Sequence, residues 1–270
     1  MTHGTPQRPD IEIERHGHVA LVEICRPPDN HFDLALIEGL ADAFEALDRD
    51  DGVRALVLAA RGKHFCAGAN FAHRARAPAV SRTPDANTAP PEGNPLYTAA
   101  VRLFGTQKPI VGAIQGAAVG GGFGLALVPD FRVVTADARF TANFVKLGFH
   151  PGFGLTHTLP RLIGPQRAAL LFLTGRRIDG ATAVDWGLAD QRVSPEGLRP
   201  AALALAHEIA ENAPLAVRSV RATLRADLAE AVRRQTDLEF REQHWLQQTE
   251  DHREGVRAVA ERRPGNFTGR

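Results

Sequence analysis

Gly120-Gly121-Gly122 is the stretch that most restricts how this chain can fold. Three adjacent residues without a Cβ tolerate positive φ and let a second backbone or a ligand come into contact with the main chain. They follow an apolar, β-favouring run, Pro109-Ile-Val-Gly-Ala-Ile114, and lead into Leu125-Ala-Leu-Val128. That order reads as strand, glycine turn, helix start. The first N–H groups of such a helix have no internal acceptor and lie at the positive end of its dipole. A turn of this kind binds a phosphate, or the oxygen that turns negative when a carbonyl reacts. A plain packing turn uses the same glycines.

The flanking sequence predicts an α/β chain. Residues 11–14 alternate and residues 18–24 favour β structure, giving a hairpin turned at His16-Gly17. Asp33 is placed to cap a helix carrying Leu36, Leu40, Phe44 and Leu47 on one face, and residues 53–58 form a buried strand. Two strands, a helix and another strand define the class. Residues 61–70, Arg-Gly-Lys-His-Phe-Cys-Ala-Gly-Ala-Asn, make a second loop of small residues. Residues 75–95, rich in Pro, Ala, Thr and Ser, read as an excursion without regular structure. A helix over 95–104, a strand over 131–135, an extended stretch over 139–144 and helices over 155–162 and 167–174 follow. Ile178 begins one more small strand and helix. From Glu196 onward the pattern is helical, with runs over 201–211, 215–225, 227–248 and 253–262 and no cluster of catalytic residue types. This predicts a tail over 1–10, a core over 11–195 and a C-terminal helical region over 196–270 that serves packing or subunit contact.

Lys+Arg 32 against Asp+Glu 31 is near balance and argues against nucleic acid or a charged membrane surface as partner. No run approaches the ~18 apolar residues of a membrane span. The start of the chain lacks the apolar stretch of a signal peptide. Two cysteines, Cys25 and Cys66, do not make a disulfide framework, and no metal site is assigned. The expectation is a soluble cytoplasmic enzyme.

Two loops read together carry more. Phe65-Cys-Ala-Gly-Ala-Asn70 resembles the first oxyanion-hole motif of the crotonase (enoyl-CoA hydratase/isomerase) superfamily, and Gln115-Gly-Ala-Ala-Val-Gly-Gly-Gly122 resembles its second. The spacing between them is similar too, as are Glu250-Asp-His-Arg-Glu-Gly-Val-Arg-Ala258 and Glu261-Arg-Arg-Pro-Gly-Asn-Phe-Thr-Gly269. The resemblance runs from about Ile11 to Gly269. It implies a spiral core of ββα repeats with a C-terminal helical region, a homotrimer or dimer of trimers, and an acyl-CoA thioester as substrate. CoA would be part of the substrate, with no covalently bound cofactor. By position, the N–H groups of Ala69 and Gly121 would hold the thioester oxygen, where two fixed donors stabilise an enolate by about 3 kcal/mol each. Phe65, Ala67, Gly68, Phe71, Gly120, Gly122, Phe144 and Phe149 would border the acyl group. Arg26, Lys63, Cys66, Ala67, Arg263 and Phe267 would border CoA; Lys63 and Arg26 are equally explained as surface charges. His73, Arg74 and Arg76 lie where the family's loop passes the nucleotide.

The chain departs from the family where a hydratase carries its two glutamates. Those carboxylates take a proton from water and deliver one to carbon. The first position falls on Gly124 and the second on Phe144, and no Asp or Glu lies between Asp137 and Asp179. His150 is the titratable residue left in that segment, either a general acid–base or a hydrogen-bonding spacer. His157, Cys66, His64 and Asn143 read as packing residues. Phenylalanines at 65, 71, 123, 144, 149 and 153 suggest an aromatic acyl pocket. Three readings remain. One is an acyl-CoA enzyme of non-hydratase type. Another is a conventional hydratase or isomerase with its acid elsewhere, such as Asp85, Glu92 or the C-terminal helices. The last is a binding protein without catalysis.

Overall fold

Strands whose side chains are apolar on both faces need a cover on each side, and this requirement organises the molecule. The structure, a computed structural model, describes residues 10–69 and 93–270. The tail over 1–9 and the excursion up to residue 92 lie outside the described residues, as do Phe71, His73, Arg74, Arg76, Asp85 and Glu92.

The chain opens with a hairpin, β1 (Ile11–His16) and β2 (Val19–Ile24), turned at Gly17 with φ +61°. Then come α1 (Leu34–Arg49), β3 (Ala55–Ala60), α2 (Pro95–Phe104), β4 (Ile110–Ile114), β5 (Ala117–Val119), α3 (Gly121–Ala126), β6 (Phe131–Thr135) and β7 (Arg139–Thr141). A 3₁₀ turn over Asn143–Leu147 leads to α4 (Leu155–Ile163), α5 (Pro165–Thr174), β8 (Arg177–Asp179), α6 (Gly180–Asp185) and β9 (Gln191–Val193). Four helices end the chain: α7 (Leu198–Ala210), α8 (Pro214–Leu224), α9 (Leu228–Leu246) and α10 (Glu250–Ala260).

The main sheet has the order β1-β2-β3-β4-β6-β9, parallel except for the β1–β2 hairpin. A smaller sheet, β5-β7-β8, stands beside it. Side chains alternate between two cores, as strand geometry demands. Val22, Leu56, Leu58 and Ile114 join α1 and α2 on one side. Leu21, Val57, Val111 and Val133 face Leu198, Ala202, Ala206 and Ala210 of α7 on the other. The C-terminal helical region therefore begins as the second cover of the sheet itself. Asp33 caps α1, its side chain accepting from the Leu36 N–H at 2.9 Å, and Asn94 caps α2 in the same way at 3.1 Å. Phe144, expected at the end of an extended stretch, lies in the 3₁₀ turn instead, closed by Gly148 at φ +58°. Among the described residues no helix is long and apolar enough to cross a membrane.

Candidate active site

The two small-residue loops lie side by side, held by main-chain hydrogen bonds. Phe65 N–H donates to the Gln115 carbonyl at 2.9 Å, Cys66 N–H to Ala117 at 2.9 Å, and Val119 N–H to Cys66 at 3.0 Å. Such an approach leaves no room for side chains between the strands of backbone. A methyl on Gly68 would come within 2.7 Å of the Val119 carbonyl oxygen, and one on Gly122 would strike the Cys66 carbonyl. Gly120 needs its freedom for a different reason: it has φ +56°, while a methyl there would make only ordinary contacts, 3.6 Å from the Phe144 ring. The adjacent glycines thus serve turn geometry at one position and close approach at the next.

Gly121 is the first residue of α3, so its N–H has no intrahelical acceptor. Among the described residues the Ala69 N–H donates to no backbone carbonyl; the Phe32–Ala69 bridge uses the Phe32 N–H on the Gly68 carbonyl, at 3.2 Å. Both residues line one cavity of about 1070 Å³. Ala67, Gly68, Gly120, Phe144 and Phe149 line it with them. Phe65 and Cys66 are fully buried behind this wall, and Gly122 packs on Cys66. Burial pushes the Cys66 thiol up to about 12, so it stays protonated and inert.

Residues 124 and 144, where the family resemblance would place carboxylates, are a glycine packed against a ring and a phenylalanine. A methyl on Gly124 would meet Phe153 at 2.7 Å from its Cβ, 2.8 Å from Cδ1 and 2.9 Å from Cγ. Phe153 in turn meets Phe32 edge to face at a centroid distance of 5.7 Å, and Phe32 lies against Gly121. Phe144 stacks on Phe149 at 6.4 Å. Phe144, Phe149 and Phe153 give this segment an apolar surface toward the cavity.

The remaining predicted residues are less gathered. Arg26 reaches the cavity wall, but its guanidinium pairs with Asp10 at 2.6 Å and Asp33 at 2.7 Å. Its hydrogen bond to Asp10 raises it further above its usual value. Lys63 is exposed and does not line the cavity. Arg263 is engaged by Glu254 and Glu261, and Phe267 is exposed; neither lines the cavity within this chain. His150 also stands outside the wall, with its ring Nδ1 2.8 Å from the Pro151 carbonyl oxygen and its own carbonyl accepting from Gln243 at 3.0 Å.

Several wall residues had no signature in the sequence: His31, Phe32, Tyr97, Phe240 and Gln243. Among the described residues His31 is the imidazole of the wall and Asp33 its carboxylate. His31 Nδ1 lies 3.0 Å from the Gly68 carbonyl oxygen, next to Ala69. Burial raises Asp33, but the Leu36 N–H and Arg26 outweigh it and hold its carboxyl below the usual range. A second carboxylate reaches the loop without reaching the cavity. Glu239, fully buried on α9, accepts from Gly154 N–H at 2.8 Å and from Thr156 N–H at 3.0 Å and Oγ1 at 2.5 Å.

Comparison with known proteins agrees with this architecture. The family model for enoyl-CoA hydratase/isomerase matches residues 14–270. A putative enoyl-CoA hydratase of Thermus thermophilus is 34% identical over 263 residues, 95% of this chain and all of the relative. A carnitinyl-CoA dehydratase of Citrobacter koseri is 31% identical over 96% of this chain and 98% of its own length. The crystal structure of an enoyl-CoA hydratase/isomerase from Pseudoalteromonas atlantica superposes with a TM-score of 0.83 at 26% identity, covering 96% of this chain and 100% of that one. The chain belongs to the enoyl-CoA hydratase/isomerase family and has the crotonase fold.

Proposed function

We propose that this family member binds an acyl-CoA thioester with its carbonyl oxygen between the N–H groups of Ala69 and Gly121, and transforms it by a reaction other than water addition. The observation that carries the reading is Phe153 packed into the space over Gly124, with Phe144 on the cavity wall. Chemistry that puts negative charge on the thioester oxygen but needs no strong carboxylate base fits such a wall: decarboxylation, double-bond isomerisation or carbon–carbon cleavage through an enolate, or thioester hydrolysis through a tetrahedral oxyanion. His31, which reaches the wall, is favoured over His150 as the side chain that moves a proton, with bound water as the other carrier. CoA enters as part of the substrate and no further cofactor is assigned.

A panel of acyl-CoAs followed by mass spectrometry tests the reading without presupposing the reaction. Crotonyl-CoA should keep its enoyl absorbance, with hydration at least about a hundredfold below that of a two-glutamate site. Robust hydration overturns the proposal and favours the conventional hydratase. His31→Ala should slow the reaction found in the panel, while His150→Ala should leave it near wild type; the reverse result restores His150.

A cytoplasmic homotrimer or dimer of trimers completes the reading. Its support is α8, which leaves Leu215, Val220 and Leu224 exposed at 77%, 60% and 74%. Light scattering should return three or six chains; a monomer removes this part.

A further inference from the structure

Six aromatic side chains face the cavity, Phe32, Tyr97, Phe144, Phe149, Phe153 and Phe240, in a chain that is only 6% aromatic. The rings are ordered against one another. Phe32 meets Phe153 edge to face at 5.7 Å, Tyr97 meets Phe240 edge to face at 6.4 Å, and Phe144 stacks on Phe149 at 6.4 Å. A flexible alkyl chain is served equally well by Leu and Val. Fixed rings offer their faces and edges most strongly to another ring, because the quadrupoles have to match in orientation.

The loop that carries Phe153, and the Tyr97 ring, are held from behind by one polar stripe on α9. Gln235, Glu239 and Gln243 recur every four residues and so share a helix face. Gln235 Nε2 donates to Thr156 Oγ1 at 2.8 Å, which directs the Thr156 hydroxyl proton to Glu239. Glu239 also binds the Gly154 and Thr156 N–H groups. Gln243 donates to the carbonyls of His150 and Pro151 at 3.0 and 3.2 Å and accepts from the Tyr97 hydroxyl at 2.7 Å. Between these anchors sits Phe153 at φ +64°, a conformation a bulky residue keeps only where its surroundings hold it. A wall fixed in this way keeps its shape and does not collapse onto a thin chain.

We propose that the cavity takes a planar aromatic acyl group, so that the substrates are thioesters of aryl-substituted carboxylic acids. This rests on the thioester reading above. Two nine-carbon ligands separate the possibilities, the 3-phenylpropanoyl and nonanoyl conjugates of CoA. A CH2 group in place of the thioester sulfur keeps the carbonyl and prevents hydrolysis. Apolar burial alone favours nonanoyl, the larger apolar surface, so a reversed order reports ring recognition. By titration calorimetry on the wild-type protein, the phenylpropanoyl conjugate should bind at least tenfold more tightly than the nonanoyl one. Phe32→Leu should shrink that ratio toward one, and Phe149→Leu gives the same readout if the first variant does not fold. Nonanoyl binding as tightly or more tightly in the wild type overturns the aromatic assignment and leaves the thioester reading standing. If neither conjugate binds more tightly than CoA itself, both fall.

Discussion

Phe153, packed into the space over Gly124, leaves a measurable energetic signature. Gly124 lies inside α3 without positive φ, so in open space Gly124→Ala would gain about 1 kcal/mol from helix propensity. Here the added methyl would sit 2.7–2.9 Å from the Cβ and two ring carbons of the buried Phe153, and overpacking of this kind costs about 1–3 kcal/mol. The sign of the substitution therefore reverses. Phe153→Gly removes the buried ring together with the Cβ that lies nearest the added methyl, and should by itself cost about the 3–5 kcal/mol of a Phe truncation. In its background the methyl at 124 has room, and the propensity gain returns. The double-mutant cycle should give a coupling of about 1–3 kcal/mol, the overpacking cost itself, that favours the double variant over the sum of the singles. Urea unfolding at one fixed protein concentration measures all four corners, which keeps any oligomerisation constant. Stabilisation by Gly124→Ala alone, or a coupling near zero, refutes the packing argument. It would also reopen position 124 to a side chain that reaches substrate.

Three further outcomes follow from groups around the same loops. Burial pushes Glu239 up to about 7 from 4.5, with its three donors pulling the other way. A raised value means stability present below pH 4.5 and lost as the pH climbs to 7, about 3 kcal/mol in all. Glu239→Gln has no such slope, so its deficit against wild type should narrow from pH 5 to pH 8; parallel stability curves would contradict this. Asp33→Ala should cost about 1 kcal/mol as a lost helix cap. Because Asp33 is held below 3.8, that cost should be present above this pH and fade as the pH falls further, which denaturant midpoints at pH 7 and pH 3 would show. Alkylation at pH 8 should label Cys25, which is half-buried, and spare Cys66 until denaturant is added; peptide mass spectrometry reads the order.

Much of the fold was legible because the buried strands are written as local runs. β2, β3 and β4 are short apolar stretches bounded by Gly or Pro, and the caps Asp33 and Asn94 announce the helices after them. β5 and β9, three residues each, carry no periodicity, and β5 is held by its pairing with β7 and by the Cys66 loop, both made only in the folded chain. The cavity divides the same way. Its glycine loops are local and could be read, whereas Phe32, Tyr97 and Gln243 arrive from distant segments and depend on tertiary contacts. The stripe Gln235, Glu239, Gln243 has the spacing of a helix face, but polar residues at that spacing usually mark a solvated side. Nothing local distinguishes a face that grips a buried loop from one that meets water. Phe153 could be placed among the pocket phenylalanines from the sequence, but its contact with Gly124, 29 residues earlier, could not.

The position of α7 bears on how the chain is made. Leu198, Ala202, Ala206 and Ala210 close a sheet whose strands are complete by Val193. During synthesis Leu21, Val57 and Val111 have no partner on that face until α7 has left the ribosome, so the nascent chain carries a sticky, half-covered sheet for most of its elongation. A stop codon shortly after residue 196 would therefore yield an aggregating fragment in place of a smaller soluble domain.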